Sequence, residues 1–271
     1  CVYTLMCDEE GGILDDLIAV RLGDDEFMLV VNASNIQADS EWMQEKTSGD
    51  VSVRDESKAW SALAVQGPDS LSLLESACGC KLKLERFRAS GDVMDEIGLI
   101  VSRTGYTGEE GYELFMENKN AVTLWEKFIG LGAKPAGLGA RDALRLEKAY
   151  RLYGSDISRE TTPVEAKLEW TLDYDKDFTG KAALVNQKKR GVEKTFACFV
   201  MDEGVVARKG YEIRSGDAEI GFVTSGTISP TTGESIGVGY VTPGHDEAGK
   251  NINIIRRNKG FSARVVDPPF V

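Results

Sequence analysis

The sequence predicts an α+β fold in two parts, a mixed N-terminal region and a small antiparallel β-barrel behind it. Three observations predict it. Short apolar runs alternate with helix-patterned stretches in the first part of the chain. From about Thr195 onward, short β-patterned segments follow one another, most of them separated by Gly- or Pro-bearing turns. A length of 271 residues exceeds what one small core needs. The charged stretch Gln187-Lys-Lys-Arg-Gly191 reads as a solvated surface turn and the natural linker. The expected domains are therefore 1–186 and 192–271.

Taken in order, Val2-Tyr-Thr-Leu-Met6 reads as a strand, and Phe27-Met-Leu-Val-Val31 is a short apolar run suited to a buried one. Ile36 to Lys46 fits a helix with Asn35 as its N-cap. Trp60 to Val65 reads as a strand. Gly67-Pro-Asp-Ser70 then turns the chain, and its Asp can cap a helix through Leu71, Leu73 and Leu74. Ile97 to Val101 is another buried strand. Ala121 to Ile129 fits a helix with Val122, Trp125, Phe128 and Ile129 on its apolar side, and Leu138 to Tyr150 a further helix. The barrel segments are Thr195–Val200, Tyr211–Ile213, Glu219–Val223, Ile236–Val241, Ile252–Ile255 and Phe261–Val266.

Composition excludes several chemistries. The net charge of −12 gives the chain no general electrostatic reason to seek nucleic acid. No apolar run approaches the ~18 residues of a membrane span. The five cysteines have no Cys-x-x-Cys spacing, so neither a disulfide framework nor a zinc cage is expected. Cys78-Gly-Cys80 reads as two small thiols near a helix end. The single histidine, His245, reads as a solvated turn residue, so no metal site is expected and acid–base work falls to carboxylates, Lys, Tyr or water.

Four segments could carry chemistry. In Gly11-Gly-Ile-Leu-Asp15-Asp16-Leu17, strand alternation would send the two acids to opposite faces. On the residues alone, a plain hairpin with two exposed acids is favoured. In Ser102-Arg-Thr-Gly-Tyr-Thr-Gly-Glu-Glu-Gly-Tyr-Glu113, the glycines at every third position let the backbone approach something flat. Tyr106 and Tyr112 offer stacking surfaces there, and Glu113 could accept two hydrogen bonds from an amino-pyrimidine edge. Ala136-Gly-Leu-Gly-Ala-Arg-Asp142 lacks the third glycine of a dinucleotide-binding fingerprint. Its Arg141, near a helix start, could hold a carboxylate, or else pair with Asp142 or Glu147 on a wet helix face. Thr224-Ser-Gly-Thr-Ile-Ser-Pro230 reads as a polar turn whose hydroxyls satisfy the backbone.

These segments, in this order, resemble the glycine cleavage T-protein family. The resemblance rests on Ser102-Arg-Thr-Gly-Tyr-Thr-Gly-Glu109 and Gly137-Leu-Gly-Ala-Arg-Asp142, with Tyr3-Thr-Leu-Met6, Gly11 to Leu17, Val30-Val-Asn-Ala33, Gln66-Gly-Pro68, Arg145-Leu-Glu147 and Thr224-Ser-Gly226 in support. It implies a folate-binding aminomethyltransferase N-terminal region, the barrel behind it, and a central cavity for tetrahydrofolate. By motif position, Asp16 resembles the essential carboxylate beside the reacting folate nitrogens. Asn32, Tyr106 and Glu113 resemble pterin-side contacts, Tyr3 and Leu5 cavity lining, and Arg141 the partner of the folate's glutamate carboxylates. The implied acceptor is tetrahydrofolate and the implied donor the aminomethyl-lipoyl arm of an H protein, with ammonia released. Related folate-linked demethylases and non-catalytic folate binders are the alternatives. Family members carry a further stretch before the position of Cys1, so an N-terminally truncated domain is expected. The compartment expected is the bacterial cytoplasm, with the mitochondrial matrix as the alternative.

Overall fold

The computed structural model describes residues 1–94 and 97–271. Its contacts divide the chain into two compact units. The first comprises Cys1–Thr4 and Leu17–Gly137, the second Leu5–Asp16 and Leu138–Val271. Strands β1 (Val2–Cys7), β2 (Ile13–Arg21) and β3 (Phe27–Val30) form a three-stranded sheet in that order. On β2 the core face carries Ile13, Asp15 and Leu17, and Asp16 belongs to the other face. The hairpin with two exposed acids is thus corrected: Asp15 is fully buried and Asp16 half-buried.

The first unit continues with α1 (Ile36–Lys46), β4 (Trp60–Gln66), α2 (Ser70–Cys78), β5 (Ala89–Met94), β6 (Ile97–Ser102), β7 (Gly111–Glu117) and α3 (Asn118–Gly130). Asn35 and Asp69 stand at the N-cap positions of α1 and α2, without a side-chain cap hydrogen bond. Strands β4, β7, β6 and β5 form an antiparallel sheet in that order. Alternation on β7 sends Tyr112, Leu114 and Met116 into a core with Leu74 of α2 and Leu124 and Phe128 of α3. Glu113 therefore lies on the opposite face, across from exposed Ala64 of β4.

Helix α3 buries a different stripe from the one expected. Leu124 and Phe128 face the sheet, whereas Val122, Trp125 and Ile129 are 66%, 46% and 37% exposed. Apolar residues cover more than one side of this helix, and the sheet selects the side that includes Leu124. The period alone could not make that choice.

The second unit holds α4 (Leu138–Glu147), a 3-10 turn (Glu169–Thr171), α5 (Lys181–Arg190) and six strands: β8 (Thr195–Met201), β9 (Glu212–Ser215), β10 (Ala218–Ile228), β11 (Ser235–Val241), β12 (Asn251–Arg256) and β13 (Lys259–Val266). The strands close into an antiparallel barrel, β10-β11-β8-β13-β12-β9, as expected. Phe199, Ile213, Val223, Ile254 and Val265 fill one core. Phe196, Cys198, Val238 and Tyr240 pack instead with Leu146 and Ala149 at the end of α4. Strands β8 and β11 are thus buried on both faces, which is why they read as unbroken apolar runs.

Three expectations in this unit change. Residues 187–190 are the last turn of α5, not a linker turn; Gln187 is buried, and the chain breaks helix at Gly191, φ +87°. The Lys and Arg residues there suit the negative end of a helix. Helix α4 stops at Glu147 rather than Tyr150, because Ala149 takes a left-handed conformation, φ +55°. Finally, 224–228 belong to β10 and do not form a turn. Among the described residues, no helix is long and apolar enough to cross a membrane.

Candidate functional site

The expected glycine-rich ligand loop is the β6–β7 connection, and its geometry begins with Gln66 at the end of β4. The Gln66 amide donates from Nε2 to the carbonyls of Thr104 (3.2 Å) and Tyr112 (3.1 Å). A β-carbon at Gly105 or Gly111 would collide with that same amide. The flat group that Gly105 and Gly111 admit is an internal glutamine amide. Arg103 holds the loop from its other side with two bonds to the Glu110 carboxylate, 2.8 and 2.7 Å, and one to the Leu84 carbonyl, 2.9 Å. Arg103 keeps Glu110 below the usual carboxylate range. Burial, with Glu110 beside it, pushes the Tyr112 phenol up to about 12. Tyr112 is 1% exposed and part of the core, so it is not a stacking surface.

On the other face of the hairpin, Thr104 Oγ1 donates to Glu113 Oε2 at 2.5 Å. Ser102 Oγ lies 2.5 Å from Thr104 Oγ1. Ser102 and Thr104 are buried, Glu113 half-buried. Cross-strand pairing of Ser102 with Glu113 brings the three together. Neither hydroxyl was singled out from sequence, although both lie within the Ser102–Glu109 motif.

The other expected site residues are distributed as follows. Tyr3, Asn32, Tyr106 and Glu113 belong to the first unit, and Leu5, Asp16 and Arg141 to the second. Tyr106 shares the β6–β7 hairpin with Glu113. Tyr3 and Leu5 occupy alternate positions of β1, both half-buried. Asn32 follows β3 in a turn where its carbonyl accepts from Asn35 N at 2.9 Å. Arg141 is exposed in the first turn of α4. The acids considered as its partners are engaged elsewhere. Asp142 pairs with Arg145 at 2.7 Å, and Glu147 accepts from Ser229 Oγ and, at 3.0 Å, from Thr231 N.

A second polar constellation went unforeseen. Arg145, 1% exposed, bonds Asp156 (2.5 Å), Asp142 (2.8 Å), Ser225 (2.9 Å) and the Tyr150 carbonyl (2.9 Å). Asp156 also accepts from Thr224 Oγ1 (2.5 Å), Ser225 Oγ (2.7 Å) and Leu152 N (3.0 Å). A register shift in β10 between Val223 and Ser225 turns these hydroxyls toward the pair. The hydroxyls of the 224–230 segment thus satisfy buried charges in addition to the backbone, where Thr224 Oγ1 donates to the Val238 carbonyl at 3.3 Å and Ser229 Oγ accepts from Thr231 N and Thr232 N at 3.2 and 3.0 Å. With every partner in place, this cluster is structural.

The Gly11-Gly12 turn has a packing cause as well. Asp8 Oδ1 accepts from Gly12 N at 2.8 Å and Oδ2 from Arg159 at 2.8 Å, while a β-carbon on Gly12 would strike the Arg159 carbonyl. Burial pushes the Cys7 and Cys198 thiols up to about 12, out of the range of a nucleophile. Among the described residues, no group of three or more His, Cys, Asp or Glu could hold a metal ion.

The comparisons agree with this architecture. The family described as "GCVT N-terminal domain" matches residues 1–176, and "Glycine cleavage T-protein C-terminal barrel domain" matches 194–271. The aminomethyltransferase of Halothermothrix orenii is 42% identical, the match covering 100% of this chain and 77% of that protein. That of Thermoanaerobacter pseudethanolicus is also 42% identical, covering 99% and 75%. The crystal structure of the glycine cleavage system aminomethyltransferase T from Bartonella henselae superposes with a TM-score of 0.91 at 32% identity, covering 99% of this chain and 75% of that one. Fold and relatives together define an enzyme of the aminomethyltransferase class. Both parts matched, the chain belongs to the glycine cleavage T-protein family.

Proposed function

We propose that the enzyme transfers the methylene carbon of an aminomethyl-lipoyl arm, carried by an H protein, to tetrahydrofolate and releases ammonia. Family membership supports the reaction class. The observation that carries the site reading is the alternation on β2: Asp15 goes into the core, and Asp16 is the acid left on the other face. This supports Asp16 as the group that orients the reacting folate nitrogens and assists proton movement. Glu113 accepts N–H groups from the pterin edge, with Tyr106, Asn32, Tyr3 and Leu5 around the ring. Arg141 meets the glutamate carboxylates of the tail. The domain boundary goes with this reading, a folate-binding part over 1–186 and a barrel over 192–271.

In the reaction, the carbon loses its bonds to the amine nitrogen and to the lipoyl sulfur and gains bonds to two folate nitrogens. The protons those nitrogens release go to the departing ammonia and to the thiol. The protein must hold the folate nitrogen in line and exclude water, which would otherwise capture the electrophilic carbon. The test is ammonia release and methylene-tetrahydrofolate formation from aminomethyl-loaded H protein. Turnover that depends on both substrates is expected. Formaldehyde transfer from a small methylated donor, with no turnover of loaded H protein, would assign the chain to the demethylases instead.

A further inference from the structure

We propose that Thr104 is a positioning residue for Glu113, fixing that carboxylate as a pure hydrogen-bond acceptor aimed by a two-hydroxyl relay from Ser102. The proposal rests on the reading of Glu113 as a pterin contact and adds how that contact is set.

The proton order follows from counting. A threonine hydroxyl has one proton, and Thr104 Oγ1 donates it to Glu113 Oε2 at 2.5 Å. The equally short Ser102–Thr104 contact then needs Ser102 as its donor. Protons run Ser102 to Thr104 to Glu113, each bond polarising the next. Both hydroxyls are buried, Ser102 completely, and Thr104 sits where Gln66 pins its carbonyl at 3.2 Å. The relay is therefore anchored to backbone that cannot shift freely. Glu113 stands at the half-buried end of it.

Two consequences follow for a ligand. A glutamate has three side-chain torsions, and ordering them on binding costs entropy. A carboxylate already held by Thr104 has less left to lose. One of its roughly four lone-pair sites is taken by Thr104, which leaves acceptor sites on both oxygens. Such a group selects a heterocycle edge that presents N–H donors and disfavours one that presents acceptors.

The experiment measures tetrahydrofolate dissociation by calorimetry, and KM and kcat for ammonia release, on the full chain with its H protein. Thr104→Val is expected to weaken folate binding and raise KM by ~5–20-fold with kcat within ~2-fold, less than the loss of a direct charge-assisted bond to the ligand because the Glu113 carboxylate remains. Thr104→Ser is expected to restore affinity to within ~2-fold, since only the hydroxyl matters. Thr104→Val combined with Glu113→Ala is expected to bind no more weakly than Glu113→Ala alone. Should Thr104→Val fail to fold, Ser102→Ala keeps Thr104 in place and is expected to cost ~2–5-fold in affinity through the relay. If Glu113→Ala weakens binding while Thr104→Val and Ser102→Ala bind like the parent, the relay is refuted and the Glu113 contact survives. If Glu113→Ala binds like the parent, the contact reading falls and the relay with it. If Thr104→Ser is as weak as Thr104→Val, the methyl packing and not the hydroxyl is responsible, and the proposal is overturned.

Discussion

Asp156 and Glu113 are both carboxylates on hydrogen-bonded networks, one in each unit, and they differ in how much of their bonding capacity the protein uses. Asp156 accepts from Thr224 and Ser225 on one oxygen and from Arg145 and Leu152 N on the other. Those four donors fill its lone-pair sites, and it is 1% exposed. The Glu113 carboxylate, half-buried, takes its one hydrogen bond among the described residues from Thr104. An acid whose acceptor sites are all filled from within holds a fold together. One that is steered but unsaturated can receive something from outside.

Substitution can break or sharpen that contrast. The largest effect is expected at Asp156: Asp156→Ala leaves the Arg145 guanidinium buried without its main partner and should cost ~3–5 kcal/mol of stability. Glu113→Ala, which leaves the buried Thr104 hydroxyl without its acceptor, should cost less, ~1–2 kcal/mol of stability, and appear mainly in folate affinity. Urea denaturation of both reads the difference, and equal losses would erase the distinction. Next, Asp16→Asn should keep folate affinity within a few-fold and lower turnover by ~10²-fold or more. Parent-like turnover would remove Asp16 from the chemistry. A smaller effect is expected for Arg141→Ala, a loss of ~1.5–3 kcal/mol in folate binding from one charge-assisted contact, read by calorimetry.

The smallest is a pH effect at Glu147. Burial works to raise its pKa, but the bonds from Ser229 and Thr231 outweigh it and hold the carboxyl below the usual range. A depressed folded pKa contributes stability that is present above the unfolded value and lost as pH falls through the folded one. Stability measured down through the acid range should therefore fall less steeply for Glu147→Gln than for the parent.

Much of the fold was legible because local chemistry announces it. The barrel strands are short apolar runs between turn residues, and helix 36–46 has the residue bounds its pattern suggests. What was hidden depends on partners far away in the chain. Thr224 and Ser225 looked like turn residues because their ligand, Asp156, lies 68 and 69 positions earlier. Trp125 looked like core because a helix with apolar residues on several sides does not declare which side the sheet will cover. Gln187 to Arg190 looked like linker because polar residues at a helix C-terminus and in a loop are alike in composition. For the site, the family motifs pointed to the residues, while strand alternation was needed to separate Asp15 from Asp16. The hydroxyls behind Glu113 emerged only from the pairing of β6 with β7.

The Gln66 amide, lodged where side chains at Gly105 and Gly111 would otherwise stand, couples the packing of three positions distant in the chain. Replacing either glycine alone by alanine obliges the Gln66 amide to swing aside and give up its bonds to the Thr104 and Tyr112 carbonyls, whereas shortening residue 66 removes the clash. A randomised library covering the three sites should recover Gly105→Ala more often in company with a shortened residue 66 than beside the native glutamine.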